Sequence, residues 1–208
     1  MVIYRKYRPQ NFSQIVGQEH IVRMLQGALV SDHTPHAYIF TGPRGTGKTT
    51  TARIFAKALN CEKSRGKRNN EPCTKCQSCT EIAEGRSLDL MEIDAASNRG
   101  IDDIRELRDG IRYSPTGGGY KVYIIDEFHQ LSKDAFHALL KTLEEPPAHA
   151  IFILATTELS KVPDTILSRA LRFDFRLFSE EEIIKELSRI AKLEGMDVER
   201  EAFAAIAK

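Results

Sequence analysis

Residues 37–59 read AYIFTGPRGTGKTTTARIFAKAL, and this stretch constrains the fold more than any other part of the chain. A short apolar run, Ala37 to Thr41, enters the loop Gly42-Pro43-Arg44-Gly45-Thr46-Gly47-Lys48-Thr49-Thr50. A helical pattern follows, with Ile54, Phe55, Ala58 and Leu59 on one side. Strand, G-x4-G-K-[ST] loop and helix in that order form the phosphate-binding loop pattern. The glycines let successive backbone N–H groups turn inward around phosphate oxygens, and the helix presents its positive dipole end to them. Lys48 is then placed to reach the β- and γ-phosphates, and the Thr49 hydroxyl to hold Mg2+. A chance glycine turn would not bring a strand before it and a helix after it.

Such a loop needs a carboxylate delivered by a second buried strand. Residues 121–127, KVYIIDE, supply one: four apolar residues, Val122 to Ile125, end in Asp126-Glu127. An apolar run of this kind suits a buried parallel strand. Asp126 at its end can reach Mg2+, and Glu127 can polarise an attacking water. The plain alternative is an acidic turn after a strand; the Asp-Glu pair favours hydrolysis over binding alone. A third strand is expected over 150–157, AIFILATT, ending in Thr156-Thr157-Glu158. In a parallel sheet that end lies at the ligand-binding edge, so Thr157 is either a γ-phosphate sensor or a strand-end cap. In VPDTILSRALRFDF, Pro163 opens a short helix that Arg169 ends, and Leu171 to Phe175 reads as a further strand. The expected fold class is therefore α/β, a parallel sheet flanked by helices.

All four cysteines fall in residues 61–79, CEKSRGKRNNEPCTKCQSC, as C-x11-C-x2-C-x2-C. The N-terminus, MVIYRKYRPQ, has neither the apolar core nor the cleavage pattern of a signal peptide. No run approaches the roughly 18 apolar residues of a membrane span. The expectation is a reducing, cytoplasmic setting with no membrane partner, where disulfides are disfavoured. A redox C-x-x-C would usually open a helix of a thioredoxin-like fold, which the surrounding sequence does not suggest. Four thiolates in close order suit tetrahedral Zn2+ at about 2.3 Å per bond, with an iron–sulfur cluster as the alternative. Catalytic zinc keeps a position open for water and four sulfurs leave none, so Cys61, Cys73, Cys76 and Cys79 point to a structural site. A nucleic-acid-binding zinc module would interleave aromatic residues, and residues 61–79 contain none. The run Lys63, Arg65, Lys67, Arg68 reads as a solvated loop closed by the metal rather than a nucleic-acid patch. With a net charge of +1 the chain has no global basic field, so any contact with DNA must be local or made through an assembly.

Ser179-x-x-Glu182 is a capping box ahead of an amphipathic run in which Ile183, Ile184, Leu187, Ile190, Ala191 and Leu193 fall largely on one face. Gly195 ends that helix and another is expected over about 199–207. The domain reading is a nucleotide-binding domain over 1–178, interrupted by a metal module at about 61–84, and the start of a helical lid over 179–208. The segment IDDIRELRDGI, residues 101–111, reads as a helix with a wet face. Residues 113–119 read as a loop, and His129 as packing.

GPRGTGKTT, VYIIDEFH, ILATTE and ILSRALRF, in that order, resemble the motif set of AAA+ ATPases of the clamp-loader clade. YRKYRPQNFSQIVGQEH is similar to that clade's N-terminal box, and the four-cysteine insertion after the loop helix narrows the resemblance to the gamma/tau family of bacterial DNA polymerase III. The resemblance spans essentially the whole chain. It implies that Gly42 to Thr50 hold ATP, that Asp126 positions Mg2+ with Thr49, that Glu127 activates water, and that Thr157 is a sensor. It implies that Arg169 is an arginine finger aimed at a neighbouring subunit's site, and that Tyr7, Arg8, Pro9, Val16 and Gly17 line the adenine side. The implied partners are other clamp-loader subunits in a hetero-oligomeric ring, the sliding clamp, and primed-template DNA through the assembly. The implied function is an ATP-hydrolysing motor that loads the clamp; the alternative is a nucleotide-binding scaffold subunit with little hydrolysis. The sequence departs from the family pattern at Ala170, where the family usually has cysteine, which leaves the guanidinium of Arg169 untouched. A second-sensor arginine and a C-terminal collar, which the family places beyond Lys208, are absent, so the expectation is a fragment: the nucleotide-binding domain with part of a lid.

Overall fold

The apolar runs identified above become the strands of a sheet that is covered on both faces. The computed structural model describes residues 2–31, 34–64, 71–97, 104, 107, 109–111, 113–117 and 119–207. Its sheet has five parallel strands: β1 (Ala37–Thr41), β2 (Leu90–Asp94), β3 (Lys121–Asp126), β4 (Ala150–Thr156) and β5 (Leu171–Asp174), in spatial order β2-β3-β4-β1-β5. The alternation of side chains along each central strand feeds two separate cores. Tyr38, Phe40, Val122, Ile124, Ile151 and Ile153 pack on one face with Ile54, Phe55 and Leu59. Ile39, Tyr123, Ile125, Phe152 and Leu154 pack on the other with Ile104, Phe128, Phe136 and Leu139. Burying each of these large side chains stabilises the fold by about 1.5–3 kcal/mol.

The helices follow their local signals. α1 (Ile3–Lys6) and α2 (Glu19–Val30) precede the sheet. α3 (Lys48–Asn60) leaves the glycine loop and buries Ile54, Phe55 and Leu59. α4 (Gln77–Glu84) starts from Cys76 and stops at Gly85, whose φ of 73° lets Arg86 N–H return to the Glu81 carbonyl at 3.0 Å. α5 (Lys133–Glu144) is capped by Ser132, which accepts from Ala135 N–H at 3.2 Å, and two prolines follow it at 146 and 147. α6 (Asp164–Leu167), α7 (Glu180–Leu193) and α8 (Arg200–Ala207) complete the chain. The capping box of α7 has both reciprocal bonds: Glu182 N–H to Ser179 Oγ at 3.2 Å and Ser179 N–H to Glu182 Oε2 at 2.7 Å.

The strands end one residue earlier than the sequence suggested. Glu127 leaves β3 in the left-handed region, φ 48° and ψ 39°, and Thr157 lies just past β4. Phe175 lies past β5 but still donates its N–H to the Thr41 carbonyl at 2.7 Å. The short helix stops at Leu167, and Ser168 and Arg169 close it as a turn, their N–H groups returning to the carbonyls of Asp164 and Ile166 at 2.9 and 3.1 Å. β2 was not anticipated: Leu90, Met91 and Ile93 alternate with acids on an edge strand that is only partly buried, a weaker pattern than the central runs. Most of the helix expected over 101–111, together with Arg65, Lys67, Arg68 and Gly118, lies outside the described residues. No described helix is long and apolar enough to cross a membrane.

Candidate nucleotide-binding site

Parallel strands point their carboxyl ends to one edge, and here β1, β3 and β4 deliver the loop, Asp126 and Thr156 to that edge. The loop residues Gly42, Gly45 and Gly47 take φ values of 144°, 79° and 95°, conformations that L side chains rarely adopt. At Gly42 space is decisive as well, since a Cβ would stand 2.3 Å from the Phe175 carbonyl oxygen. These turns open a cleft of about 280 Å³ lined by Arg8, Arg44, Gly45, Gly47, Lys48, Thr49, Thr50, Asp126 and Glu127.

Lys48 is buried, and its Nζ donates to the carbonyls of Gly42 at 2.8 Å and Pro43 at 2.7 Å. Burial pulls its pKa below the usual lysine value, and Glu127 and Asp126 oppose that shift. The Thr49 hydroxyl donates to Asp126 Oδ2 at 2.5 Å, so the two hard oxygen ligands expected for a divalent cation already stand together. Glu127 accepts from Arg44 Nε at 3.3 Å and from the Thr157 hydroxyl at 2.9 Å. Its left-handed backbone is uncommon for a residue with a side chain and costs on the order of 1–3 kcal/mol. Pro43 and Thr46 complete the loop, the Thr46 hydroxyl donating to the Pro43 carbonyl at 2.8 Å.

The residues expected on the adenine side divide. Arg8 lines the cleft and donates from Nε to Thr50 Oγ1 at 3.0 Å; burial, with Arg53 nearby, lowers its pKa. Gly17, at φ 72°, sits under the start of α7, where a Cβ would meet Phe178 at 2.8 Å. Pro9 and Val16 are half-buried, and the Tyr7 hydroxyl donates to Glu194 Oε1 at 2.7 Å. Arg169 is not among the cleft residues. Its guanidinium donates to the Thr165 carbonyl at 2.6 Å and pairs with Glu144 at 3.2 Å, while Ala170 packs against the core.

Two polar residues differ from the sequence reading, Gln18 because nothing in the sequence singles it out and His129 because of what it contacts. Gln18 is fully buried, donating from Nε2 to the Arg176 carbonyl at 2.7 Å and accepting from Arg176 N–H at 3.3 Å. No periodic signal marks such a residue. His129 is buried, as expected, but it makes a polar bridge rather than apolar packing: Nδ1 lies 2.9 Å from Thr156 Oγ1 and 3.5 Å from Glu127 Oε2, and Nε2 lies 3.2 Å from Glu158 Oε1.

The four cysteines also converge. The sulfurs of Cys61, Cys73, Cys76 and Cys79 all lie within 4.8 Å of one another. Backbone N–H groups of Cys73 and Cys76 donate to the sulfurs of Cys61 and Cys73, each at 3.3 Å. A tetrahedron with metal–sulfur bonds of about 2.3 Å sets its sulfurs roughly 3.8 Å apart, so this cluster fits one zinc ion better than a multi-iron cluster, which would push the sulfurs further apart. Burial resists ionisation of Cys61, yet hydrogen bonds from Ser64, Cys73 and Lys63 hold its thiol down to about 6.

The sequence profile of the family described as DNA polymerase III, delta subunit, matches residues 17–179. The chain belongs to this family. It is 53% identical over 205 residues to DNA polymerase III subunit tau of Bacillus subtilis, covering 99% of this chain and 36% of that protein. It is 45% identical over 207 residues to DNA polymerase III subunit gamma of Buchnera aphidicola, covering 100% of this chain and 55% of that protein. The chain thus spans about a third to a half of these relatives. Its fold matches that of the RuvB Holliday junction branch migration motor of Thermotoga maritima, with a TM-score of 0.68 at 21% identity, over 97% of this chain and 59% of that one. The fold of this DNA polymerase III family member is therefore that of an AAA+ P-loop ATPase.

Proposed function

We propose that this chain is the ATP-binding and ATP-hydrolysing motor subunit of a DNA polymerase III clamp loader, loading the sliding clamp onto primed DNA. The observation that carries the reading is the convergence of Lys48, the Thr49–Asp126 pair and the Thr157–Glu127 pair on one cleft at the strand ends. A scaffold that only bound nucleotide would have no need of a carboxylate held in a strained backbone beside a hydroxyl.

In this reading the loop N–H groups of residues 42–50 and the start of α3 bind the triphosphate. Lys48 exchanges its two carbonyl acceptors for phosphate oxygens, and its partial burial strengthens that contact. Thr49 and Asp126 would hold Mg2+, which when bound would neutralise charge developing on the phosphate chain. Glu127 takes the proton of the attacking water, and Thr157 fixes the orientation of that carboxylate. Tyr7, Arg8, Pro9, Val16 and Gly17 border the base. Residues 1–178 form the nucleotide-binding domain, 179–208 begin the lid, and the four cysteines hold structural Zn2+. Arg169, which does not line this cleft, acts in this reading on the site of a neighbouring subunit.

The test is steady-state ATP turnover by the full-length protein assembled with its partner subunits and clamp, with and without primed DNA. Strong stimulation by DNA, reduced by roughly 10³–10⁵ in Arg169→Ala, supports the motor. Turnover indifferent to both DNA and the substitution would leave the scaffold.

A further inference from the structure

The four-cysteine module is joined to the segment that borders the nucleotide cleft by one carboxylate. Glu71 lies between Cys61 and Cys73. Its Oε2 accepts from Phe12 N–H at 2.9 Å, its Oε1 accepts from Ser13 N–H at 3.0 Å, and Gln26 Nε2 lies 3.4 Å from Oε1. Phe12 and Ser13 open the short 3-10 turn Phe12–Gln14, whose first N–H groups have no partner within the turn. A carboxylate there completes them and meets the positive end of the turn. Glu71 is in turn fixed within the module, since the Ser64 hydroxyl donates to its backbone carbonyl at 2.5 Å and Ser64 N–H donates to the Cys61 carbonyl at 3.1 Å. A second tie comes from α3, where the buried Lys57 Nζ donates to the Gln10 side-chain oxygen.

The segment held in this way spans the phosphate loop like an arch. One foot is Arg8 on Thr50 at 3.0 Å, and the other is Gln18, whose Nε2 lies 3.5 Å from the Thr46 carbonyl and 2.7 Å from that of Arg176. Phe12, 1% exposed, roots the crown in the core. Glu71 holds that crown at two consecutive backbone N–H groups.

We propose that Glu71 is a positioning residue for the nucleoside end of the nucleotide, and that the cysteine module, closed by its metal, acts through it to hold residues 7–18 in place. This rests on the reading of the cleft given above. The phosphate loop is built by β1 and α3 and meets the arch at its feet, Arg8 on Thr50 and Gln18 on Thr46, so loosening the crown at Phe12 and Ser13 weakens recognition of base and ribose more than that of the phosphate chain. If the arch is docked only a fraction of the time, the apparent dissociation constant rises by the inverse of that fraction.

Three readouts on the full-length protein test this. Amide hydrogen exchange at Phe12 and Ser13, without nucleotide, reports the latch directly. Equilibrium binding of ATP and of inorganic tripolyphosphate reports its consequence. In Glu71→Ala, and in the wild type stripped of zinc by a chelator, the two amides should lose protection. ATP affinity should fall by roughly 10²-fold, the scale of two lost charge-assisted bonds when the arch undocks, with tripolyphosphate binding affected far less. Glu71→Gln, which keeps an acceptor oxygen, should recover part of the loss, and zinc removal from Glu71→Ala should add little. Unchanged protection at both amides in Glu71→Ala overturns the latch. Lost protection with equal weakening of ATP and tripolyphosphate overturns the nucleoside role. Failure of the wild type to bind either ligand would overturn the reading of the cleft, while the exchange data would still judge the latch.

Discussion

Gly42→Ala should be among the most damaging small substitutions in the chain. The residue has φ 144°, and the added methyl would stand 2.3 Å from the Phe175 carbonyl oxygen and 3.0 Å from the Phe175 Cβ. The carbonyl is backbone and cannot rotate away as a side chain would. Phe175 is also held in place, because its N–H bonds to Thr41 and its ring lies 5.1 Å from that of Phe40. Backbone strain contributes about 1–3 kcal/mol, and forcing the loop away from β5 adds a similar amount, so about 3 kcal/mol is expected. For a chain of this size that is a fall in Tm of roughly 6–12 °C, read by calorimetry without nucleotide. Gly27→Ala is the matched control: Gly27 lies within α2, and its added Cβ would meet nothing within 4 Å. It should stabilise by about 0.5–1 kcal/mol through lower chain entropy and better helix propensity. A Gly42→Ala protein melting within about 2 °C of the wild type would refute the close-approach argument.

Glu127→Gln keeps the shape of the side chain and can still accept from Thr157, but it cannot take a proton. ATP binding should survive while turnover falls by roughly 10²–10⁴, and a change of less than threefold in turnover would remove Glu127 from the chemistry. Glu194 is held below the usual carboxylate range, first by its hydrogen bond from Lys6 and then by that from Tyr7. Its folded value is the lower one, so the stability it lends is complete above an unfolded value of about 4.3 and fades as pH falls through the folded value. Thermal melts of Glu194→Gln should therefore show a flatter acid limb than the wild type, and superimposable limbs would count against this contact.

Two kinds of signal made most of the site legible in the sequence. The loop is read from spacing, because only glycines fit its turns and only a lysine and a hydroxyl at fixed offsets serve its chemistry. Asp126 is read from its place at the end of an apolar run, and β3 delivers it within 2.5 Å of Thr49. The cysteines are read from clustering, and the fold brings their sulfurs together. What remained hidden depends on tertiary placement. β2 is an edge strand whose mixed apolar and acidic residues carry little pattern. Gln18, Glu71 and His129 are polar residues whose importance lies in partners tens to more than a hundred positions away in the chain, and no local periodicity encodes such partners. Glu127 shows the limit most clearly: its residue type was legible, but the left-handed backbone that turns its carboxylate toward Thr157 and Arg44 was not.

The placement of Arg169 fits the proposed role in a neighbouring site on energetic as well as geometric grounds. It follows α6 and precedes the edge strand β5, and its guanidinium rests on Glu144 at the end of α5 rather than in the cleft. Both partners are substantially exposed, at 37% and 51%, and an ion pair of that kind is worth about 0–1 kcal/mol. A contact so weak orients the side chain at the surface without committing it there. In the proposed role, delivered to another subunit's nucleotide, it would exchange a solvent-screened pair for a desolvated phosphate contact, and that difference in partner would make the contact depend on assembly.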